Sequence, residues 1–268
     1  MIESSNTWFE VRQVADKVWL IDDNGLDNIY LVEGKEKALL IDTGCGVGNL
    51  KEIISALTSL PVIIVATHGH PDHVLGGAQF DAIYLDSEDA SLLNQYINTE
   101  SRKLIFECLL QDKCNSEFLV EKWLNTRINI TPINNGHIFD LGDKIIRVVS
   151  IPGHSAGCIG LIDEQEKLFF SGDSIQDCDL WMHLNDSLPL HAFLQSIQQL
   201  KVISGHSYKI LPGHSISPIQ TDIIDELIQG ITKIVAGELK GLPHQTFMGE
   251  GLLCRFNRCG VVYNPNQL

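Results

Sequence analysis

The sequence predicts an α/β protein made of two similar β/α halves that pack sheet against sheet with helices outside. Three observations carry this reading. Short strand-like segments crowd the first forty or so residues, apolar spacing then switches to a helical period, and the same succession of strands and helices returns after residue 144.

Residues 8–14, 18–22, 28–33 and 38–42 read as strands of an antiparallel meander, separated by turn formers such as Asp23-Asn24-Gly25 and Glu33-Gly34-Lys35. Val47, Leu50, Ile53, Ile54, Leu57 and Leu60 then fall on one helical face, and Pro61 stops the helix. Residues 62–66 form a continuous, β-branched run, a buried strand that leads straight into Thr67-His68-Gly69-His70-Pro71-Asp72-His73. Residues 87–125 lose strand signals and repeat apolar positions at helical spacing, which predicts a helical insertion that could form a lid. Strands resume at 144–151 and 168–171, followed by a helix over 188–202, a short strand at 209–211 and a helix over 219–235. No stretch is rich enough in Pro, Gly or Ser to mark a linker, so residues 1–268 are expected to form a single domain.

Composition narrows the function classes. With 268 residues, 44% hydrophobic and 20% charged, the chain is an ordinary globular protein with ample core. Its longest apolar stretches fall short of the roughly 18 residues a spanning helix needs, so no membrane segment is expected. The start, Met1-Ile2-Glu3, lacks a basic end and apolar run, and a cytoplasmic location is expected by default. Seven scattered cysteines without a Cys-x-x-Cys pair read as reduced core thiols. The net charge is −15 and no basic run exceeds Arg102-Lys103, which argues against nucleic acid and for a small-molecule partner. Apolar faces of the insertion could serve a homodimer.

The chemistry is concentrated in a few short motifs. His68-Gly69-His70-Pro71-Asp72-His73 places four potential metal ligands in six residues. His154 and His214 each occur in Pro-Gly-His-Ser, and Asp173 occurs in Ser171-Gly172-Asp173-Ser174, each after an expected strand. Glycine before a ligand lets the backbone turn sharply and approach an ion. This ordered series, with Leu40-Ile41-Asp42-Thr43-Gly44 upstream, resembles the metallo-β-lactamase superfamily, especially its glyoxalase II-like and lactonase-like hydrolases.

The resemblance spans roughly residues 28–215 and implies a four-layer αββα sandwich with metals at the sheet edge. It gives His68, His70 and His154 to one metal and Asp72, His73 and His214 to the other, with Asp173 bridging. Ligation by imidazole and carboxylate suits two divalent ions, zinc first, with iron or manganese also compatible. Such a pair lowers the pKa of a shared water toward about 7, and the resulting hydroxide attacks an ester, thioester or lactone carbonyl. Asp72 is then the proton acceptor, and Asp42 the anchor that orients a ligand or its loop.

Departures from relatives sharpen the expectation. Asp173 stands where the commonest true β-lactamases carry Cys, and His70 where the diiron oxidoreductases carry a carboxylate. Gln176 replaces the Tyr of the lactonase-like relatives, and the tail offers only Arg255 and Arg258 where glyoxalase II relatives bind glutathione. His183, His206 and Tyr208, between Asp173 and His214, and Trp181 beside Met182, are candidates for a substrate pocket. Alternative readings are a small-molecule phosphodiesterase, a mononuclear-iron persulfide dioxygenase that uses only His68, His154 and Asp173, and a metal-binding sensor without turnover.

Overall fold

In the computed structural model, which describes residues 8–115, 118–200, 208–215 and 217–268, the chain divides into two units. One is residues 1–133 with 138–145; the other is residues 134–137 with 146–268.

In the first unit, β1 (Glu10–Ala15), β2 (Val18–Asp22), β3 (Asn28–Glu33) and β4 (Ala38–Ile41) pair successively as an antiparallel meander. The β2–β3 connection uses Asn24 and Gly25 at positive φ, a conformation Asn tolerates and Gly adopts freely. β5 (Val62–Val65), β6 (Ile83–Asp86) and β7 (Ile130–Ile133) extend the sheet in parallel, giving the order β1-β2-β3-β4-β5-β6-β7. Period-two residues Ile29, Leu31, Ala38, Leu40, Ile64 and Ala66 share one core with Leu50, Ile53 and Ile54. Those last three belong to α1 (Leu50–Leu57), which starts later than residue 47 because Asn49 caps it, accepting a hydrogen bond from the Glu52 amide.

The helical stretch after β5 contains α2 (Pro71–Val74), a 3₁₀ turn (Leu75–Gln79), α3 (Ser87–Tyr96), α4 (Thr99–Ile105), a π turn (Phe106–Leu110) and α5 (Val120–Leu124). The buried Arg102 guanidinium holds it together by donating to the carbonyls of Ile97, Trp123 and Thr126 and to the Thr126 hydroxyl. A short strand, β8 (Ile138–Asp140), also falls in this unit.

The second unit contains strands in the order β14-β13-β11-β10-β9, namely Ile219–Gln220, Lys209–Pro212, Leu168–Gly172, Ile159–Asp163 and Ile145–Ser150. A smaller sheet runs β12-β17-β16-β15: Asp179–Met182, Gly260–Tyr263, Gly249–Arg255 and Leu242–Thr246. Helices α6 (Leu190–Gln199) and α7 (Asp222–Val235) bury Phe193, Ile197, Ile223, Leu227 and Ile231 in one core with Phe169 and Ile210.

Two expectations need correction. The helix expected from residue 219 begins at Asp222, because Ile219 and Gln220 pair with Ile210 and Lys209 as an edge strand. The C-terminal segment, read as a short tail, instead folds into β15, β16 and β17 on β12. Its strands are rich in Gly and polar residues, so their pattern is faint in the sequence. Among the described residues no helix is long and apolar enough to cross a membrane.

The core sets the position of the ligand-bearing loops. A side chain at Gly153, next to His154, would put its Cβ 2.2 Å from the Phe193 ring, so α6 packs directly on that backbone. Phe193→Ala should cost about 3–5 kcal/mol of unfolding free energy, read from urea denaturation. A loss below about 1 kcal/mol would show that this packing does not hold the loop.

Candidate metal centre

In the first unit the parallel strands β4 and β5 deliver Asp42 and the His68–His73 loop to the same sheet edge. Asp42 sits at φ +63, strained for a residue with a Cβ, and the conformation turns its carboxylate onto the loop. That carboxylate accepts from the Thr67 amide at 2.7 Å and the Thr67 hydroxyl at 2.9 Å, and lies 3.1 Å from His73 Nδ1. Thr43 fixes the same residue from behind, its amide and hydroxyl both donating to the His73 carbonyl.

These contacts set the imidazole tautomers. A proton on His73 Nδ1 faces the carboxylates of Asp42 and Asp27, which favours the tautomer with the lone pair on Nε2. The Thr67 hydroxyl spends its proton on Asp42, so its oxygen accepts from His68 Nδ1 at 3.2 Å, and His68 Nε2 carries a lone pair as well. The rings of His68 and His73 are 4.1 Å apart and those of His68 and His70 4.6 Å, while Asp72 reaches to 3.8 Å from His73 Nε2.

Helix α3 buttresses this loop. Buried Asp89 accepts from the Gly69 amide at 2.7 Å, and the Tyr96 ring stands edge-on to His70 at 5.2 Å. Gly69 has no substitute here, since an added Cβ would lie 2.7 Å from Tyr96.

In the second unit β11 ends at Gly172 and presents Asp173, β13 ends at Pro212 before His214, and β9 leads to His154. His154 Nδ1 donates to the Trp181 carbonyl at 2.7 Å, which turns Nε2 toward Asp173. One oxygen of Asp173 lies 3.5 Å from His154 Nε2 and 3.3 Å from His214 Nε2. A lone pair aimed at a carboxylate is repulsive unless a proton or cation lies between them. The donor set therefore suits a divalent cation.

The pocket candidates separate. Trp181 contributes the carbonyl just described, and its half-buried ring faces Phe247 at 5.3 Å. His183 is buried, with Nε2 2.9 Å from the Thr246 hydroxyl. Tyr208 is buried in the core, with the Lys167 ammonium 5.1 Å from its ring centroid. His206 lies outside the described residues. A cavity of about 890 Å³ between Trp8, residues 46–49 and Trp123 includes none of the candidate ligands. Asp27, 3.5 Å from His73 Nδ1, and Asp89 escaped sequence reading, as isolated acidic residues outside any motif; Gly69 between two histidines was the only sign of a close approach.

Residues 23–88 match the model of the metallo-beta-lactamase superfamily. The chain superposes on a metallo-beta-lactamase from Pontibacter korlensis with TM-score 0.59 at 19% identity, over 84% of this chain and 99% of that one. The chain has the metallo-β-lactamase fold. A family member from Thermus thermophilus gives TM-score 0.58 at 22% identity, covering 84% of this chain and 80% of that one. Among curated relatives, the acyl-coenzyme A thioesterase MBLAC2 of Homo sapiens is 28% identical over 231 residues, 79% of this chain and 82% of that protein. The hydroxyacylglutathione hydrolase GloC of Haemophilus influenzae is 28% identical over 156 residues, 54% of this chain and 65% of that protein.

Burial, with smaller contributions from the nearby charges of His154 and His244, lowers the His183 pKa from the usual 6.5 to about 4. Below pH 6.5 the unfolded chain gains a proton that the folded imidazole refuses, so this group's contribution to stability declines as pH falls from 6.5 toward 4. His183→Gln should flatten the stability profile in that window, measured by denaturant unfolding at each pH. An unchanged slope would mean that the folded His183 titrates normally.

Proposed function

We propose that this protein is a metal-dependent hydrolase that cleaves thioesters. One observation carries the reading: imidazoles in both units commit Nδ1 to protein acceptors and leave Nε2 to meet a cation beside carboxylates. The substrate class is supported by the relatives. Besides the acyl-coenzyme A thioesterase, an atrochrysone carboxyl ACP thioesterase of Cryptosporiopsis sp. is 26% identical over 210 residues, 75% of this chain and 53% of that protein.

In this reading His68, His70 and His154 would hold one zinc ion, Asp72, His73 and His214 would hold the other, and Asp173 would serve both. Bound there, the ions supply Lewis acidity and an activated water. Asp72, a fifth exposed in the first turn of α2, would accept a proton from the attacking water and return it to the departing sulfur. A C–O bond forms and the C–S bond breaks, giving a carboxylic acid and a thiol. Asp42, Thr67 and the Trp181 carbonyl keep the imidazoles turned for this task.

Purified protein should contain about two zinc ions per chain by elemental analysis and should hydrolyse acyl thioesters ahead of lactones and phosphodiesters. One iron per chain, or preferential phosphodiester cleavage, would replace this reading. Asp173→Ala should lose both bound metal and turnover. Asp42→Asn should keep the fold by circular dichroism yet bind zinc about 10–100-fold more weakly; unaltered affinity would remove Asp42 from the ligand support.

A further inference from the structure

Among the described residues, the exposed large apolar side chains of the second unit are Leu242 on β15, Phe247 and Met248 on the turn that follows it, and Leu268. Phe247 and Met248 form the tip of the turn and are 37% and 42% exposed. The tip is nevertheless held firmly. The Thr246 hydroxyl donates to the Gly249 carbonyl at 3.0 Å and accepts from the Met248 amide at 3.2 Å. Its remaining lone pair accepts from His183 Nε2, which pins the hairpin to the residue after β12. Gly251 permits the approach, because a Cβ there would lie 3.0 Å from that of His183.

The pinned tip faces the candidate centre's own support. The Phe247 ring stands 5.3 Å from Trp181, whose carbonyl holds His154 Nδ1. A rigid apolar surface therefore begins one residue away from a candidate ligand. Residues 241–249, Gly-Leu-Pro-His-Gln-Thr-Phe-Met-Gly, contain no Asp, Glu, Lys or Arg in a chain that carries 19 basic and 34 acidic residues. Such a surface, without a Lys or Arg to pair with the phosphates of a carrier, suits a hydrocarbon.

We infer that Trp181, Phe247 and Met248 form the seat for the acyl chain of the substrate, so that the protein prefers long-chain acyl thioesters. The inference rests on the thioesterase reading and adds to it the identity of the acyl group. Each methylene that the seat buries strengthens binding about fourfold.

The test uses the full chain with acetyl, hexanoyl and dodecanoyl thioesters of one thiol, and with the dodecyl thioether of that thiol, which cannot be hydrolysed. For the natural protein kcat/KM should climb with chain length. In Phe247→Ser/Met248→Ser the dodecanoyl-to-acetyl ratio of kcat/KM should fall at least tenfold, mainly through KM, and thioether binding by calorimetry should weaken in parallel. Met248→Lys, a single change at an exposed site, should shift the ratio in the same direction and serves if the double variant does not fold. An unchanged ratio together with unchanged thioether affinity would overturn the seat. So would light scattering that shows the natural protein to be a dimer broken by Met248→Lys, since the tip would then bind a second copy. Absence of thioester turnover in the natural protein would sink the thioesterase reading alone, and the thioether measurement would still decide the seat.

Discussion

The candidate centre depends on one constraint: an imidazole can offer a lone pair in a fixed direction only when its other nitrogen is held. Here Nδ1 of His73 is held by Asp42, that of His68 by the Thr67 hydroxyl, and that of His154 by the Trp181 carbonyl. None of these holders belongs to a flexible surface chain. Asp42 follows a strand, Thr67 follows the next parallel strand, and Trp181 lies within β12. The sheets thus do more than bury apolar surface, because their edges set the rotation of the rings.

The two units solve the same problem in different ways. In the first, a side-chain network does the orienting: a single carboxylate binds the Thr67 main chain and hydroxyl while it faces His73, so a change there disturbs two histidines together. In the second, a main-chain carbonyl orients His154, so side-chain replacement at Trp181 would leave that bond available. Asp173 lies between two Nε2 atoms with little of its surface in water. Burying a carboxylate there is costly unless positive charge compensates it, which makes cation binding and local stability the same question.

Much of this was legible in the sequence because spacing and covalent adjacency encode it. The His-x-His-x-Asp-His run follows an apolar strand, and the Pro-Gly-His and Gly-Asp motifs follow others, so candidate ligands at strand ends could be read directly. Long-range partners could not. Asp89 meets the Gly69 amide from twenty residues away, and nothing in Ser87-Glu88-Asp89-Ala90 distinguishes a loop clamp from a solvated helix start. The burial of the Tyr208 ring in the core likewise depends on partners far away in the chain. The C-terminal sheet escaped because Leu242-Pro243-His244-Gln245-Thr246 alternates weakly and contains a proline, which an edge strand tolerates.

The Asp89 contact also bears on movement. Because α3 grips the Gly69 amide with a buried carboxylate and sets Tyr96 against His70, this helix cannot swing outward without dragging the histidine loop out of shape. α3 is thereby tied to the histidine loop at two points, the Gly69 amide and the His70 ring.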